Sequence, residues 1–551
     1  MLGRSLGTMF ADICERAPDD PAFEAADGSL RWTRRALADR VARVAELFDD
    51  MAVGSRVILA LPNTAEFPVW FWGCQVAGIV PVPVAPPHAG PRLAHQIASI
   101  RAISGITGAT AIVLRPGETA QKLRTALAPL RIFEHAIEPG IARLSPRERR
   151  PEDLAFIQFT SGSTSNPKGC ALAHRSVAAN VEAIRKALDT HRGDVSYNWM
   201  PYHHDMGLLS GIIAPILCEG TGIIDAPRAF MLDPIGWLRK ISAHANVHTT
   251  APNFALSLTL RAYSRRRDLQ LSLENVRSII CGAEPIEPEL VRRFLRTFAG
   301  FGLKPESFVA CYGMAESTVL VSACSGGLRT FLADATALEK DRRLEPVGSG
   351  GRARELVSLG TPPPECQLKI VEEGREVAEG QVGEIWLRSP SLMQGYFSDP
   401  EATEGVFQDG YLKTGDNGLL LAGELFFVGR RKDILIVSGQ NFDPHDIELQ
   451  IAQAVGLEAR RISAINVNIA DRGSTLGIVL EEDFTARQSE DLPSRVIESC
   501  FNITGVRPKI YVLRGERLPR TSSGKIQRAA LALRFTQLES MASKAAEAVE
   551  P

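Results

Sequence analysis

The chain has 551 residues, of which 45% are hydrophobic and 23% charged. These proportions suit a soluble globular protein of about three or four units, and they exclude wholesale disorder, a collagen-like repeat and a coiled coil. Lys+Arg number 62 against 64 Asp+Glu, a net charge of −2 that gives no general pull toward nucleic acid or an anionic membrane. Nine cysteines form no C-x-x-C pair, and their odd count fits reduced thiols and a cytoplasmic location.

The N-terminus lacks the long apolar core of a signal peptide. Helical periodicity is expected over 10–16 and 36–48, a buried strand over 55–61, a helix over 65–77 and a short strand over 111–114. The most apolar stretch, 69–87, is broken by Gln75 and several prolines, so it reads as a buried helix running into a buried strand over 79–84 rather than a membrane span. Strand and helix go on alternating through 151–320, with apolar runs at 154–159, 222–225, 247–250, 276–281 and 308–311. That rhythm predicts an α/β fold with mostly parallel sheets covered by helices. From Gly360 short alternating runs between Gly, Asp and Pro predict an antiparallel, hairpin-rich part. Beyond Gly429-Arg-Arg-Lys-Asp433 a small α+β domain is expected: strand 434–437, helix 444–454, strands 461–467 and 475–480, helix 491–501 and strand 509–513. The expected division is 1–431 and 432–551, ending in an Ala/Glu-rich helix or frayed tail.

Phe159-Thr-Ser-Gly-Ser-Thr-Ser-Asn-Pro-Lys-Gly169 holds five hydroxyl residues, two glycines and a lysine in the eleven positions after a strand. Hydroxyls and unhindered N–H groups there make an anion cradle, and the lysine adds a point charge for phosphate. The bland alternative is a polar surface loop. Three more segments follow in order: Tyr312-Gly-Met-Ala-Glu-Ser-Thr318, Tyr411-Leu-Lys-Thr-Gly-Asp416 with Gly429-Arg430, and Pro519-Arg-Thr-Ser-Ser-Gly-Lys525. Ser165-Asn-Pro-Lys168 and Lys413-Thr-Gly415 also fit a serine acyltransferase pattern, but no S-D-N lies between them.

Taken together, the ordered segments resemble the signatures of the adenylate-forming superfamily: acyl-CoA synthetases, amino-acid adenylation domains, luciferases and fatty acyl-AMP ligases. The resemblance implies a large N-terminal domain and a small C-terminal domain that rotates. It implies that Thr160, Ser161, Gly162, Ser163, Thr164 and Lys168 hold ATP phosphates, and that Glu316 holds Mg²⁺. Gly282, Ala283, Glu284, Pro285 and Tyr312, with Gly313, Met314 and Ala315, would frame the adenine. Asp416 and Arg430 would hold the ribose, Lys525 would act on the carboxylate and α-phosphate, and Lys432 would be the hinge.

Within the superfamily, Trp199-Met-Pro-Tyr-His-His-Asp-Met-Gly207, Thr250-Ala-Pro-Asn-Phe-Ala255 and Ile79-Val-Pro-Val-Pro-Val-Ala-Pro-Pro87 resemble fatty acyl-AMP ligases. Gly360 follows Glu316 by 44 positions, which marks an insertion at about 325–356, read as polar and charged, matching the one that distinguishes those ligases. The implied reaction is activation of a fatty acid as its adenylate and transfer to an acyl carrier protein or a polyketide/peptide synthase carrier domain. The alternatives are release as acyl-CoA and a non-catalytic adenylate-binding protein. His204 is a candidate at the acyl or carboxylate end, with an apolar acyl tunnel sought around 206–213 and 254–258. The segment departs from the family at Ser165, His203, Asn417 and 441–448, none of which removes a required charge.

Overall fold

The computed structural model describes residues 3–90, 93–115, 117, 123–134, 137, 143–160, 167–266, 269–431, 433, 435–437, 440–469, 473–481, 491–521 and 524–547. An eight-stranded sheet runs in the order Leu320–Cys324, Phe308–Gly313, Val276–Cys281, Val247–Thr250, Val195–Asn198, Thr221–Ile224, Pro21–Ala25 and Arg31–Thr33. The inner strands pair parallel. Only the two edge strands are antiparallel. Helices cover parallel sheets on both faces, which is why Val247–Thr250 and Thr221–Ile224 are buried at every position and show no alternation.

A second, parallel sheet joins Val80–Pro83, Arg56–Ala60, Ala111–Leu114 and Arg131–Phe133. Helix Glu66–Val76 lies between its first two strands in sequence and is buried on all sides beyond Glu66, stacking Trp72 on Phe10 at 4.8 Å between ring centroids. The hairpin-rich part is an antiparallel sheet in which Gln367–Glu372, Gly383–Arg388, Tyr411–Leu421 and Glu424–Arg430 are neighbours in turn.

Two segments differ from the sequence expectation. Leu154–Phe159 does not join a parallel sheet but pairs antiparallel with Gly169–Ala173, so the Ser/Thr/Gly segment is the connection of a hairpin, and helix His174–Ala187 starts only after it. The second strand carries no β-branched residue and is buried on both faces, so neither propensity nor alternation marks it. The insertion is not merely polar. It contains the hairpin Thr330–Asp334 with Ala353–Val357, and Ala333, Leu338 and Leu356 pack with Val382, Leu419, Phe426 and Val428 of the antiparallel sheet.

From Leu435 onward the chain builds separate cores. Strands Ile462–Ile469, Gly473–Glu481 and Lys509–Leu513 form one sheet, with helices Pro444–Val455, Leu492–Thr504 and Arg528–Glu547. Asp443 caps the first helix by accepting from the His445 N–H, Pro444 opens it, and Gly456 closes it in the left-handed region. This portion meets the rest through Arg354 Nε to Asp446 Oδ2 at 2.8 Å, through Arg352 over the Phe442 ring at 5.9 Å, and through an Arg261–Glu458 ion pair. Among the described residues no helix is long and apolar enough to cross a membrane.

Candidate active site

Strands Tyr411–Leu421 and Glu424–Arg430 set Asp416 directly opposite Arg430, and the large sheet brings Tyr312 to the same point. The Tyr312 hydroxyl donates to Asp416 Oδ2 at 2.8 Å and Arg430 Nε donates to Oδ1 at 3.0 Å. Asp416 is buried. Its carboxylate keeps the Arg430 guanidinium charged, and burial together with Asp416 pushes the Tyr312 phenol well above its ordinary value. Both carboxylate oxygens are thereby fixed in direction, and their remaining lone pairs are the acceptors a vicinal diol requires.

Glu316 lies in the short turn Ala315–Ser317 that follows strand Phe308–Gly313. The Tyr396 hydroxyl donates to Glu316 Oε1 at 2.8 Å, and Lys168 Nζ sits 4.8 Å from the Tyr396 ring centre. Thr160 N–H donates to the Lys168 carbonyl at 3.0 Å, closing the base of the hairpin connection. Lys168, Tyr396 and Glu316 thus form one cluster at the end of the hairpin. Ser161, Gly162, Ser163 and Thr164 lie outside the described residues, as does Lys432. Among the described residues there is no group of three or more His, Cys, Asp or Glu side chains able to hold a metal, and Glu316 supplies the carboxylate of this cluster. That set fits Mg²⁺, which binds through one or two carboxylates and otherwise through phosphate oxygens and water.

The turn Gly282-Ala-Glu-Pro285 ends strand Val276–Cys281. Ala283 has a positive φ of 68°, and Asn253 Nδ2 donates to the Pro285 carbonyl at 2.5 Å. Gly313 admits no side chain, since a Cβ there would stand 1.6 Å from the Val319 carbonyl oxygen. Burial raises the Glu284 carboxyl, opposed by its bond from the Phe254 N–H and then by the positive charges of Arg520 and Lys525. Lys525 closes the segment Pro519–Lys525 of the small unit. It is held by its own backbone, donating N–H to Thr521 Oγ1 at 3.2 Å and accepting from Thr521 N–H at 2.8 Å.

His204 precedes the short helix Asp205–Leu208, with its ring 4.4 Å from that of His203. Gln158 Nε2 donates to the His203 carbonyl at 2.7 Å and ties this loop to the hairpin. Burial, and then His204 beside it, lowers the His203 imidazole well below its ordinary value. Next to His204 a cavity opens between the large sheet and the helical segment that starts at Asp205. Ala283, Gly313 and Asp205 line one part of it, and Met206, Leu209, Ile280 and Val309 make an apolar wall. The expected wall around 206–213 is present in part. Phe254, from the other expected stretch, instead packs edge-on against Trp199 at 5.9 Å.

Residues 10–397 match the family model described as AMP-binding enzyme. The chain belongs to the AMP-binding enzyme family. It is 31% identical over 521 residues to the medium-chain-fatty-acid–[acyl-carrier-protein] ligase JamA of Moorena producens, covering 89% of this chain and 87% of the relative. It is 29% identical to the long-chain-fatty-acid–AMP ligase FadD26 of Mycobacterium bovis, covering 97% of each. A solved structure from work on fatty acyl-adenylate ligases of E. coli and L. pneumophila superposes with a TM-score of 0.87 at 28% identity, covering 98% of each chain. The expected likeness to fatty acyl-AMP ligases and the adenylate-forming fold are borne out by these matches. The family region stops before Asp416, Arg430 and Lys525, while the full-length relatives span them. Tyr396 and Gln158 carry no local sequence signal, because their partners Glu316 and His203 lie 80 and 45 positions away.

Proposed function

We infer that the protein activates a fatty acid with ATP, forms the acyl adenylate, releases pyrophosphate and passes the acyl group to the phosphopantetheine thiol of a carrier protein. The observation that carries this reading is the apolar cavity that opens at Ala283 and Gly313, on the strand ends that also carry Glu284, Tyr312 and Glu316. An apolar pocket with few polar groups at one end suits a carboxylate with a long hydrocarbon tail.

A carboxylate oxygen of the fatty acid attacks the α-phosphorus of ATP; the bond to the bridging oxygen breaks, and pyrophosphate leaves with that electron pair. Two anions meet in this step, so oriented positive charge is what the protein supplies. Lys525 balances charge on the carboxylate and α-phosphate. Asp416, fixed by Tyr312 and Arg430, accepts from the ribose hydroxyls. Lys168 and the hairpin connection hold the outer phosphates. Mg²⁺, held by Glu316 and phosphate oxygens, supplies charge neutralisation when bound. In the second step a thiolate attacks the acyl carbon, AMP leaves and a thioester forms.

The separate cores on either side of the 430–433 segment support units of 1–431 and 432–551 with Lys432 at the pivot. Arg352 and Arg354 of the insertion both touch the small unit, which supports a restrained unit and a carrier-bound rather than CoA-bound product. JamA is named for a medium-chain substrate and an acyl carrier protein, FadD26 for a long-chain one. The test incubates the protein with ATP, Mg²⁺ and fatty acids of graded length, with and without CoA, and reads products by mass spectrometry. Acyl adenylate that persists in CoA and is consumed by a holo-carrier protein is expected. Efficient acyl-CoA formation would make it an acyl-CoA synthetase, and no adenylate from any acid would leave an adenylate-binding protein.

A further inference from the structure

The cavity assigned above to the acyl chain has a polar side, formed by Asp194, Ser196, Ser210, His248 and Thr250. Four of these five are satisfied within the protein. Ser196 Oγ donates to the Ser210 carbonyl at 2.7 Å, and Ser210 Oγ bonds the Met206 carbonyl. His248 Nδ1 shares a hydrogen bond with Ser278 Oγ at 2.8 Å, and its Nε2 with Asp194 Oδ2 at 3.2 Å. Thr250 is different: it is 2% exposed and its Oγ1 has no hydrogen-bond partner among the described residues. A buried hydroxyl without a partner is costly, and a valine would fill nearly the same space without that cost. Thr250 is the last residue of strand Val247–Thr250, about 6–7 Å further along the strand than His248 and on the same face. It therefore stands toward the end of the cavity where Ala283 and Gly313 lie, which is the carboxyl end of the chain.

We propose that Thr250 is a specificity-determining residue that selects an acyl chain bearing a hydroxyl near its carboxyl group, through a hydrogen bond to Thr250 Oγ1. The proposal rests on the acyl assignment of this cavity. The satisfied groups deeper on the same wall offer no comparable vacancy, so a hydroxyl at the far end of the chain gains nothing.

The experiment compares a straight-chain fatty acid with its 3-hydroxy and its terminally hydroxylated derivatives of equal length, following pyrophosphate release. The ratio of kcat/KM for the 3-hydroxy acid to that for the plain acid is expected to be about 5–10, the size of one neutral hydrogen bond. Thr250→Val should bring that ratio close to one, and Thr250→Ser should keep it. A purely packing role would move both substrates together and leave the ratio alone. A wild-type ratio of one or less, a ratio unchanged by Thr250→Val, or a preference for the terminal hydroxyl alone overturns the proposal while plain-acid turnover sustains the ligase reading. Absence of turnover with every acid overturns both.

Discussion

The large and small units hold their candidate site residues in opposite ways. In the large unit Asp416 is clamped by Tyr312 and Arg430 from two different elements, and Glu316 by Tyr396, so the nucleotide end is built in advance. In the small unit Lys525 rests on a local turn, its backbone N–H and carbonyl both bonded to Thr521. Under the proposed function, binding falls to a clamped constellation and chemistry to a lysine of the other unit. On that proposal one nucleotide site serves two successive reactions, because Lys525 lies outside the Asp416 and Glu316 clamps.

Mutations at the two ends should therefore separate. Lys525→Ala removes charge that matters as the pentacoordinate phosphorus develops, and should lower adenylate formation by about 10²–10³-fold. Its ATP affinity, measured by calorimetry, should change little, and transfer from pre-formed acyl adenylate should survive. A large loss of ATP binding would contradict the division. Asp416→Asn is the mirror experiment. It leaves the Tyr312 and Arg430 donors facing an amide and weakens charge-assisted bonds to the ribose, so the KM for ATP should rise by roughly 10–100-fold, with a smaller effect on kcat. A loss confined to kcat would place Asp416 with the chemistry instead.

How much of this was legible in the sequence follows the same line. The fully buried strands Ala111–Leu114 and Val247–Thr250, and the mostly buried Val276–Cys281, stand out as apolar runs, and their boundaries match the structure. Short motifs singled out Asp416, Arg430 and Lys525, each next to a glycine (Gly415, Gly429 and Gly524), and Glu316 within the run Tyr312–Thr318. Tyr396 has no such neighbourhood signal, and its meaning comes from Glu316, which is 80 positions away. The insertion was misread for a related reason. Its strands are only five residues long, and its buried side chains, Ala333, Ala335, Ala337, Leu338 and Leu356 among them, are diluted by charged neighbours that pair elsewhere. Burial there is set by a partner sheet rather than by local composition.

The two units also respond differently to acid. In the large unit His174 is 2% exposed; its Nδ1 accepts from the Leu6 N–H at 3.2 Å while its Nε2 has no partner among the described residues. Burial, with the nearby Arg149 charge, lowers its imidazole to about 4. In the unfolded chain the same group titrates near 6.5, so below that pH the unfolded state takes up the proton first. Stability is full above about pH 6.5 and declines as the pH falls, by about 2 kcal/mol on reaching pH 5. Tm measured across this range for wild type and for His174→Asn should show the slope flattened in the variant. Parallel curves would mean that His174 does not couple to folding.

The contact between the units carries the reverse sign. Asp446 is raised to about 7 by burial against the pull of Arg354, which bonds it at 2.8 Å. A carboxyl with a higher pKa when docked than when free takes up a proton on docking. Docking therefore tightens as the pH falls from about 7 toward 4 and is weakest above 7. Hydrogen exchange in helix Pro444–Val455 should accordingly be slower at pH 6 than at pH 8 after correction for the intrinsic rate. Arg354→Ala removes the compensating charge and should weaken docking at pH 8 by about 1 kcal/mol, less at pH 6 where the carboxyl is protonated. Asp446→Asn should abolish the pH dependence, and the double variant should be no worse than Arg354→Ala alone. If the insertion restrains the small unit through this pair, Arg354→Ala should also raise acyl-CoA formation a few-fold without changing adenylate formation. A variant that loosens the helix yet leaves the CoA product unchanged would show that the insertion's contact serves packing, and that selection against CoA lies in another part of the fold.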